Sequence, residues 1–319
     1  MTNEMRTVTQ DTFGGPEALR VATAPRPEPG PTEVLVRVHA AALNPVDVKT
    51  SRGEGLAWLY GEPPYTLGWD VSGTVEAVGF GASWLSPGDE VFGMPNFPRL
   101  AGGLAEYVTA PSRHFVRKPA GLDHVRAAAL PLAGLTAWQI LVDTARVRAG
   151  QRVLVHAAAG GVGHLAVQIA KARGAEVIGT ASAGKHAFLR ELGVDQVVDY
   201  TAGPFEREVG EVDLVVDNVG GPEHQLRSLG VLREGGLLVA VPGGVDAAAA
   251  ARAAATGRRI TDVLVEPDQV GLLGLVDLVE RGQLRVEVAA ELPLDQVARA
   301  FELVGSNRTR GKVVLRVAD

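Results

Sequence analysis

The stretch Arg152-Val-Leu-Val-His-Ala-Ala-Ala-Gly-Gly-Val-Gly-His-Leu-Ala-Val-Gln-Ile-Ala-Lys171 decides the fold. Val153, Leu154 and Val155 form a short apolar run, as in a strand buried on both faces. A glycine turn from Ala157 to Gly163 follows at once, and beyond it Val162, Leu165, Ala166 and Ile169 repeat at helical spacing. Strand, glycine turn and helix in that order are the context of a dinucleotide fingerprint. Small residues let the backbone approach a pyrophosphate, and the helix N-terminus offers unpaired N–H groups and a positive dipole end.

The strict GxGxxG pattern is broken, because Ala158 stands at its first glycine; the form that fits is AxxGxxG, through Ala157, Gly160 and Gly163. A tight connection with no ligand would also use such a turn. The next landmark weighs against that reading. About 20 residues after the glycines, a second strand should end beside the ribose, and Ala175-Glu-Val-Ile-Gly-Thr180 is that strand. No acid stands at its end to hold a free 2′-hydroxyl; Ser182 and Lys185 stand there instead, a hydroxyl and a cation suited to a 2′-phosphate. That predicts NADPH rather than NADH. A solvated lysine at the start of the helix running to Leu192 is the competing reading of Lys185.

At 319 residues the chain is long enough for two domains with substantial cores. Its formal net charge of −6, without a basic run, argues against a nucleic-acid partner. No apolar stretch approaches a membrane span, the N-terminus lacks the apolar core of a signal peptide, and a cytoplasmic location is the default expectation. With no cysteine, the chain has no disulfide, no thiolate nucleophile and no cysteine-ligated zinc.

Up to about residue 122 the pattern is that of β structure: 34–38, 71–78 and 104–110 alternate, separated by turn signals at 25–31, 79–81, 87–89 and 101–103. A barrel-like β domain is predicted there. From about residue 123 helices and strands alternate. Helices are expected at 125–130 and 135–141, then strands at 176–180, 196–199, 213–217, 237–241 and 261–265, giving a doubly wound parallel sheet in an α/β protein. The run Ala247–Ala251 after Asp246 reads as a capped helix. Leu294, Val297, Phe301 and Val304 make a final helical face, and 312–317 a closing strand.

Taken together, Asn44-Pro-Val-Asp47, Gly68-Trp-Asp-Val-Ser-Gly73, Pro87-Gly-Asp-Glu-Val91, Gly103-Leu-Ala-Glu-Tyr107, Leu135-Thr-Ala137, Ala158-Ala-Gly-Gly-Val-Gly163 and Gly311-Lys312 resemble the medium-chain dehydrogenase/reductase superfamily. The likeness is to its zinc-free quinone oxidoreductase and enone reductase branch. The resemblance covers nearly the whole chain and implies a GroES-like catalytic domain of residues 1–122 and 286–319 interrupted by a Rossmann domain of residues 123–285, with the active site in the cleft between them. It also implies NADPH as cofactor, a quinone or activated alkene as substrate, and a homodimer. In the zinc-dependent branch a cysteine stands in place of Asn44 and a histidine in place of Trp69, so no metal is expected here. The seven histidines, His39, His114 and His156 among them, show no metal-ligand spacing and read as packing or surface residues.

Without a Lewis acid the chemistry best served is reduction of a quinone or of an alkene conjugated to a carbonyl, which carries its own electron sink. By resemblance, Asn44 lies near the nicotinamide and the substrate carbonyl; its other reading is an amide capping the turn before Pro45. Tyr60 approximates the active-site tyrosine of quinone reductases, Tyr65 competes for that role, and either could pack with its hydroxyl in water. Asp47 and Lys49 read as an ordinary surface pair.

The cofactor residues expected are Ala159, Gly160, Gly161, Val162 and Gly163 at the pyrophosphate, Ser182 and Lys185 at the 2′-phosphate, and, as the resemblance implies, Tyr200 near the adenosine. Asn218 and Val219, then Pro242, Gly243 and Gly244, end successive strands near the nicotinamide ribose; the resemblance, through its Leu-Thr-Ala signature, implies that Thr136 approaches the nicotinamide, and Arg310, with Asn307, reaches back to the cofactor from a loop that could equally be a mobile surface loop. Trp58, Leu59, Met94, Phe97 and Leu100 line an apolar pocket or belong to the core. Two other functions fit the same residues: a pathway-specific reductase, for example of a secondary-metabolite intermediate, and a non-catalytic NADPH-binding interaction protein.

Overall fold

One mixed sheet and one parallel sheet carry the α/β structure, a computed structural model that describes residues 3–318. The chain divides into two compact units: residues up to Leu135, with Glu266–Glu280 and Val286 onward, and then Thr136–Val265 with Arg281–Arg285.

The first unit opens with an antiparallel hairpin of β1 (Glu4–Gln10) and β2 (Leu19–Pro25). Then come β3 (Glu33–Leu43), the helices α1 (Pro45–Ser51) and α2 (Ala57–Tyr60), β4 (Asp70–Val78), β5 (Glu90–Gly93), β6 (Tyr107–Pro111) and β7 (Phe115–Arg117). Two helices follow, α3 (His124–Ala128) and α4 (Pro131–Trp138), the latter running into a π-helical turn at Gln139–Thr144.

The second unit strings together β8 (Arg152–Val155), α5 (Gly163–Ala172), β9 (Glu176–Ala181), α6 (His186–Glu191), β10 (Gln196–Asp199), β11 (Val212–Asp217), α7 (Pro222–Gly230), β12 (Leu232–Ala240), α8 (Ala247–Ala255) and β13 (Arg259–Asp262). Its six strands are all parallel, in the order β10-β9-β8-β11-β12-β13. Strand order therefore reverses between β8 and β11, where doubly wound sheets bind ligands. Val153, Leu154 and Val155 are fully buried, as their apolar run predicts, and Leu154 packs with Ile178, Val215 and Leu238 in one cluster.

The last segment returns to the first unit through α9 (Gln269–Glu280), β14 (Val288–Pro293), α10 (Val297–Gly305) and β15 (Lys312–Arg316). β15 pairs antiparallel with β3, and β3 with β4, so that the end of the chain joins the seven-stranded sheet beside the motif around Asn44.

Several elements differ from their sequence prediction. The strand expected at 104–110 begins at Tyr107, because the backbone of Leu104 is bonded to Val8 and Leu67 instead. The helix expected at 135–141 starts at Pro131 and ends at Trp138. The edge strand expected at 261–265 lies at Arg259–Asp262. The short β5 and β7 had no clear signal, since three- and four-residue strands are too brief to show a period, and the seven-residue strands of the β1–β2 hairpin were not predicted either. The compact units also differ from the expected division at 122/123 and 285/286. Residues 123–135 and 266–280 pack with the first unit, where His124 Nδ1 bonds Ser72 Oγ at 2.8 Å.

Candidate functional site

In the second unit, the parallel strands deliver their C-terminal ends to one edge. After β8 the chain turns at Ala157, a non-glycine residue at φ +48°. Gly160 N–H donates to Ala157 O (2.9 Å), His164 N–H to Gly160 O (3.1 Å) and Ala166 N–H to Val162 O (2.9 Å). Among the described residues the N–H groups of Gly161, Val162 and Gly163 have no partner. Three free amides at the start of a ten-residue helix are the arrangement through which helix N-termini bind anions in general. Gly163 is sterically required: a Cβ there would lie 2.3 Å from Ala157 O. Ala159, within this turn, is buried.

The pairing of β9 with β10 sets Ala181 opposite Asp199, so Ser182 and Tyr200 leave the sheet side by side. Ser182 O accepts from Lys185 N–H (2.9 Å) in a single turn, both residues are half-buried, and Tyr200 is 57% exposed. Lys185 lies just before α6, as its position in the sequence predicts.

The roles of three residues on this edge, Thr180, His156 and Asp217, escaped sequence reasoning. Thr180 Oγ1 accepts from Ala157 N–H (3.2 Å) and stands 3.2 Å from Nδ1 of His156, whose Nε2 lies 3.1 Å from Ser228 Oγ. His156 is thus a fully buried network residue, and burial, then the nearby His224, pushes its pKa down. Asp217, also buried, accepts from the N–H groups of Val219 (2.9 Å) and Gly220 (3.0 Å) and so shapes the turn after β11. Its Oδ1 lies 3.1 Å from His224 Nδ1, although the geometry of the contact is not that of a well-formed hydrogen bond. Burial opposes ionisation of Asp217, but His224 and the two amides hold its pKa below the usual value.

Asn218 donates from Nδ2 to His156 O (2.9 Å) while its buried Oδ1 is unpartnered, and Val219 is half-exposed. Past β12, Pro242 leads into Gly243 (φ +81°) and Gly244 (φ +72°), whose carbonyl accepts from Gln225 Nε2 at 2.8 Å. Thr136 is buried on α4.

In the first unit, three neighbouring strands bring Asn44, Asp70 and Lys312 together. Leu43 is opposite Val313 and Ala42 opposite Asp70, so the residue after β3 meets the first residues of β15 and β4. Asn44 donates from Nδ2 to Asp70 Oδ2 (2.8 Å) and accepts at Oδ1 from Lys312 Nζ. Lys312 Nζ also donates to Asp70 Oδ2 (3.0 Å) and Leu43 O (3.0 Å), and Asp70 Oδ1 accepts from Leu132 N–H at 2.6 Å. Asn44 does stand at the N-cap of α1, yet its side chain serves this cluster. Lys312 was noted only as part of a terminal motif; its partners are far away in sequence.

Asp47 does not form a surface pair with Lys49. It is fully buried, Oδ2 accepts the Asn44 N–H (2.8 Å), and Oδ1 has the Gly68 amide nearby but no well-formed hydrogen bond. Burial, with the like charge of Asp70, pushes its pKa up to about 7.

Tyr60 and Tyr65 meet edge to face, with ring centroids 5.9 Å apart. Neither hydroxyl sits in open water: Tyr60 donates to Pro98 O, and the buried Tyr65 hydroxyl has no partner. Burial first, then the charge of Asp47 for Tyr60 and of Glu62 for Tyr65, raises both pKa values. Trp69 is completely buried, donates from Nε1 to Arg99 O (2.8 Å) and packs on Phe97. Of the expected apolar lining, Met94 and Phe97 are core, while Trp58 is 80% and Leu59 43% exposed. Arg310 is held on the surface by Glu287, with Nε 2.8 Å from Oε1.

Comparison with known proteins places the chain in a family. The family model of the alcohol dehydrogenase GroES-like domain matches residues 30–120, and that of zinc-binding dehydrogenases residues 192–315. The chain is 35% identical to the chloroplastic NADPH-dependent alkenal/one oxidoreductase of Arabidopsis thaliana over 98% of its own length and 79% of the relative's. The solved quinone oxidoreductase from Coxiella burnetii superposes with a TM-score of 0.94 at 38% identity, over 99% of this chain and 100% of that one. A mycobacterial protein solved in complex with NADPH matches with a TM-score of 0.85 at 32% identity, over 98% and 100%. The chain belongs to the medium-chain dehydrogenase/reductase superfamily, among its quinone oxidoreductases and enone reductases.

Proposed function

We propose that this chain is a zinc-independent NADPH-dependent reductase of quinones or of the activated C=C bond of α,β-unsaturated carbonyl compounds. The observation that carries the reading is the glycine turn with three unpaired amides next to a strand end that offers Ser182 and Lys185 and no acid. Those groups fit NADPH: amides at a helix N-terminus suit a pyrophosphate, and a hydroxyl with a cation suits a 2′-phosphate. When bound, NADPH supplies a hydride, and negative charge then develops on the carbonyl or quinone oxygen of the substrate.

The chain's own part is to orient the substrate and to steady that oxygen with hydrogen-bond donors. Asn44 is the donor proposed, with the paired Tyr60 and Tyr65 beside Trp69 forming the aromatic wall. Zinc independence is supported by the donor set: the sequence has no cysteine, and Asn44, Asp70 and Lys312 are bonded to one another. A homodimer fits the edge position of β13 in its sheet and the exposed Leu264 just beyond it, and light scattering tests it.

The deciding experiment is fluorescence titration with NADPH and NADH, for the parent chain and Lys185→Ala, followed by NADPH oxidation over a panel of quinones and enones. NADPH should bind far more tightly than NADH, and the variant should lose about 1–3 kcal/mol of that preference, the size of one charge-assisted contact. Equal affinity for the two nucleotides would overturn the cofactor assignment. Tight NADPH binding without turnover on any member of the panel would instead favour a non-catalytic binding protein.

A further inference from the structure

The ion pair between Lys312 and Asp70 is the one among the described residues whose two side chains are both essentially inaccessible, 3% and 0% exposed. Burying such a pair is costly, and apolar residues of similar volume often serve stability as well or better. The pair also does not stand alone. Lys312 Nζ touches Asn44 Oδ1 and Asp70 Oδ2, and Asn44 Nδ2 donates to that same Oδ2, so the three side chains close a ring.

The ring has a geometric consequence. An amide is planar, and only the N–H on the same side as its oxygen can enter a ring that also includes that oxygen. Asp70 therefore takes that N–H, and the second one points away from both Lys312 and Asp70. A flipped amide would set its NH2 group against an ammonium, so the orientation is decided. The three N–H groups of the ammonium are used on Leu43 O, Asn44 Oδ1 and Asp70 Oδ2, and both carboxylate oxygens of Asp70 are occupied. The donor left over in the cluster is the second N–H of Asn44.

We propose that Lys312 is a positioning residue that acts on the substrate oxygen through Asn44, fixing the direction of its spare N–H and strengthening it as a donor. The role presupposes Asn44 as the donor to a substrate carbonyl. A positive charge on the amide oxygen draws electron density out of the N–H bonds, which favours donation to an oxygen that is becoming negative. The effect is large in a dry site, where hydrogen-bonded chains polarise one another. A cation one amide removed from the substrate thus supplies part of the electrostatic help that a metal ion would otherwise give.

The test is a double-mutant cycle. Asn44→Ala should lower kcat about 100-fold, the lower end for loss of one oxyanion donor. Lys312→Gln, which keeps an N–H donor for Asn44 but removes the charge, should lower kcat about 10-fold with KM and the Kd of NADPH nearly unchanged, a share of that donor effect. Lys312→Met should cost at least as much. In the Asn44→Ala background Lys312→Gln should have no further effect, because its route to the substrate is gone. An equal loss in that background, or no loss in either Lys312 variant, would overturn the role. An unchanged kcat in Asn44→Ala would instead reject Asn44 as the donor.

A second readout needs neither turnover nor cofactor. The two Nδ2 proton resonances of Asn44, identified by their absence in Asn44→Ala, should shift upfield in Lys312→Gln as the amide loses its polarising charge. Resonances that stay in place would count equally against the proposal, even if kcat had fallen.

Discussion

At Gly163 the space for a side chain is already filled by backbone: a Cβ would lie 2.3 Å from Ala157 O and 2.8 Å from Ala158 Cα. Neither neighbour can swing aside, since both belong to the turn that this glycine closes. Gly163→Ala should therefore force the helix off the strand, at a cost of about 1–3 kcal/mol typical of overpacking, with loss of NADPH binding; urea denaturation and nucleotide titration measure the two. The glycine pattern showed that this residue had to be small. The sequence was silent about what braces the turn from below, because Thr180, His156 and Ser228 are far apart along the chain and meet only where β8, β9 and α7 converge. Asp47 was misread for a related reason. A charged residue two positions from a lysine is usually on the surface, and only the packing of α1 shows it to be wholly buried.

Among the elements, those with their own local signals were the legible ones. The run of alanines after Asp246 is one: α8 spans Ala247–Ala255, and Asp246 Oδ1 accepts from the N–H groups of Ala248 (2.9 Å) and Ala249 (3.1 Å). Alanine supplies helix propensity but no way to satisfy the free amides of the first turn, so the cap matters. Asp246→Ala should destabilise the protein by about 1 kcal/mol, seen as a lower midpoint in urea with an unchanged slope. The parallel strands β9, β10 and β11 likewise followed from apolar runs between helices. The short strands β5 and β7, held by pairing to β4 and to each other, had no such signal and are set by the sheet they complete.

For the molecule as a whole, the buried carboxyl of Asp47 links stability to pH. Its pKa in the folded chain, about 7, lies above the value near 3.8 of an exposed aspartate, so the folded state binds more protons between the two. Stability from this group is therefore greatest below about pH 4 and declines as pH rises towards 7, by up to several kcal/mol for a shift of that size. Asp70 and Lys312, the charged groups nearby, oppose one another in this effect. Asp47→Asn should gain on the parent chain as pH rises from 5 to 8, and the difference between their urea midpoints isolates Asp47 from the histidines. A difference that is flat with pH would mean that Asp47 is ionised throughout.

The sequence by itself determined the doubly wound sheet, the glycine turn and the absence of an acid at the end of β9, because each is a local pattern of residue size, polarity and spacing. It also carried the combination of motifs that marks the superfamily. Only the tertiary structure decided that Asn44, Asp70 and Lys312 form one closed cluster, that His156 and Thr180 stand beneath the turn, and that Arg310 is taken by Glu287. Those facts depend on which strands lie side by side and in what register. A pairing of residues 268 positions apart leaves no trace in local periodicity; it appears once the chain has closed β15 onto β3.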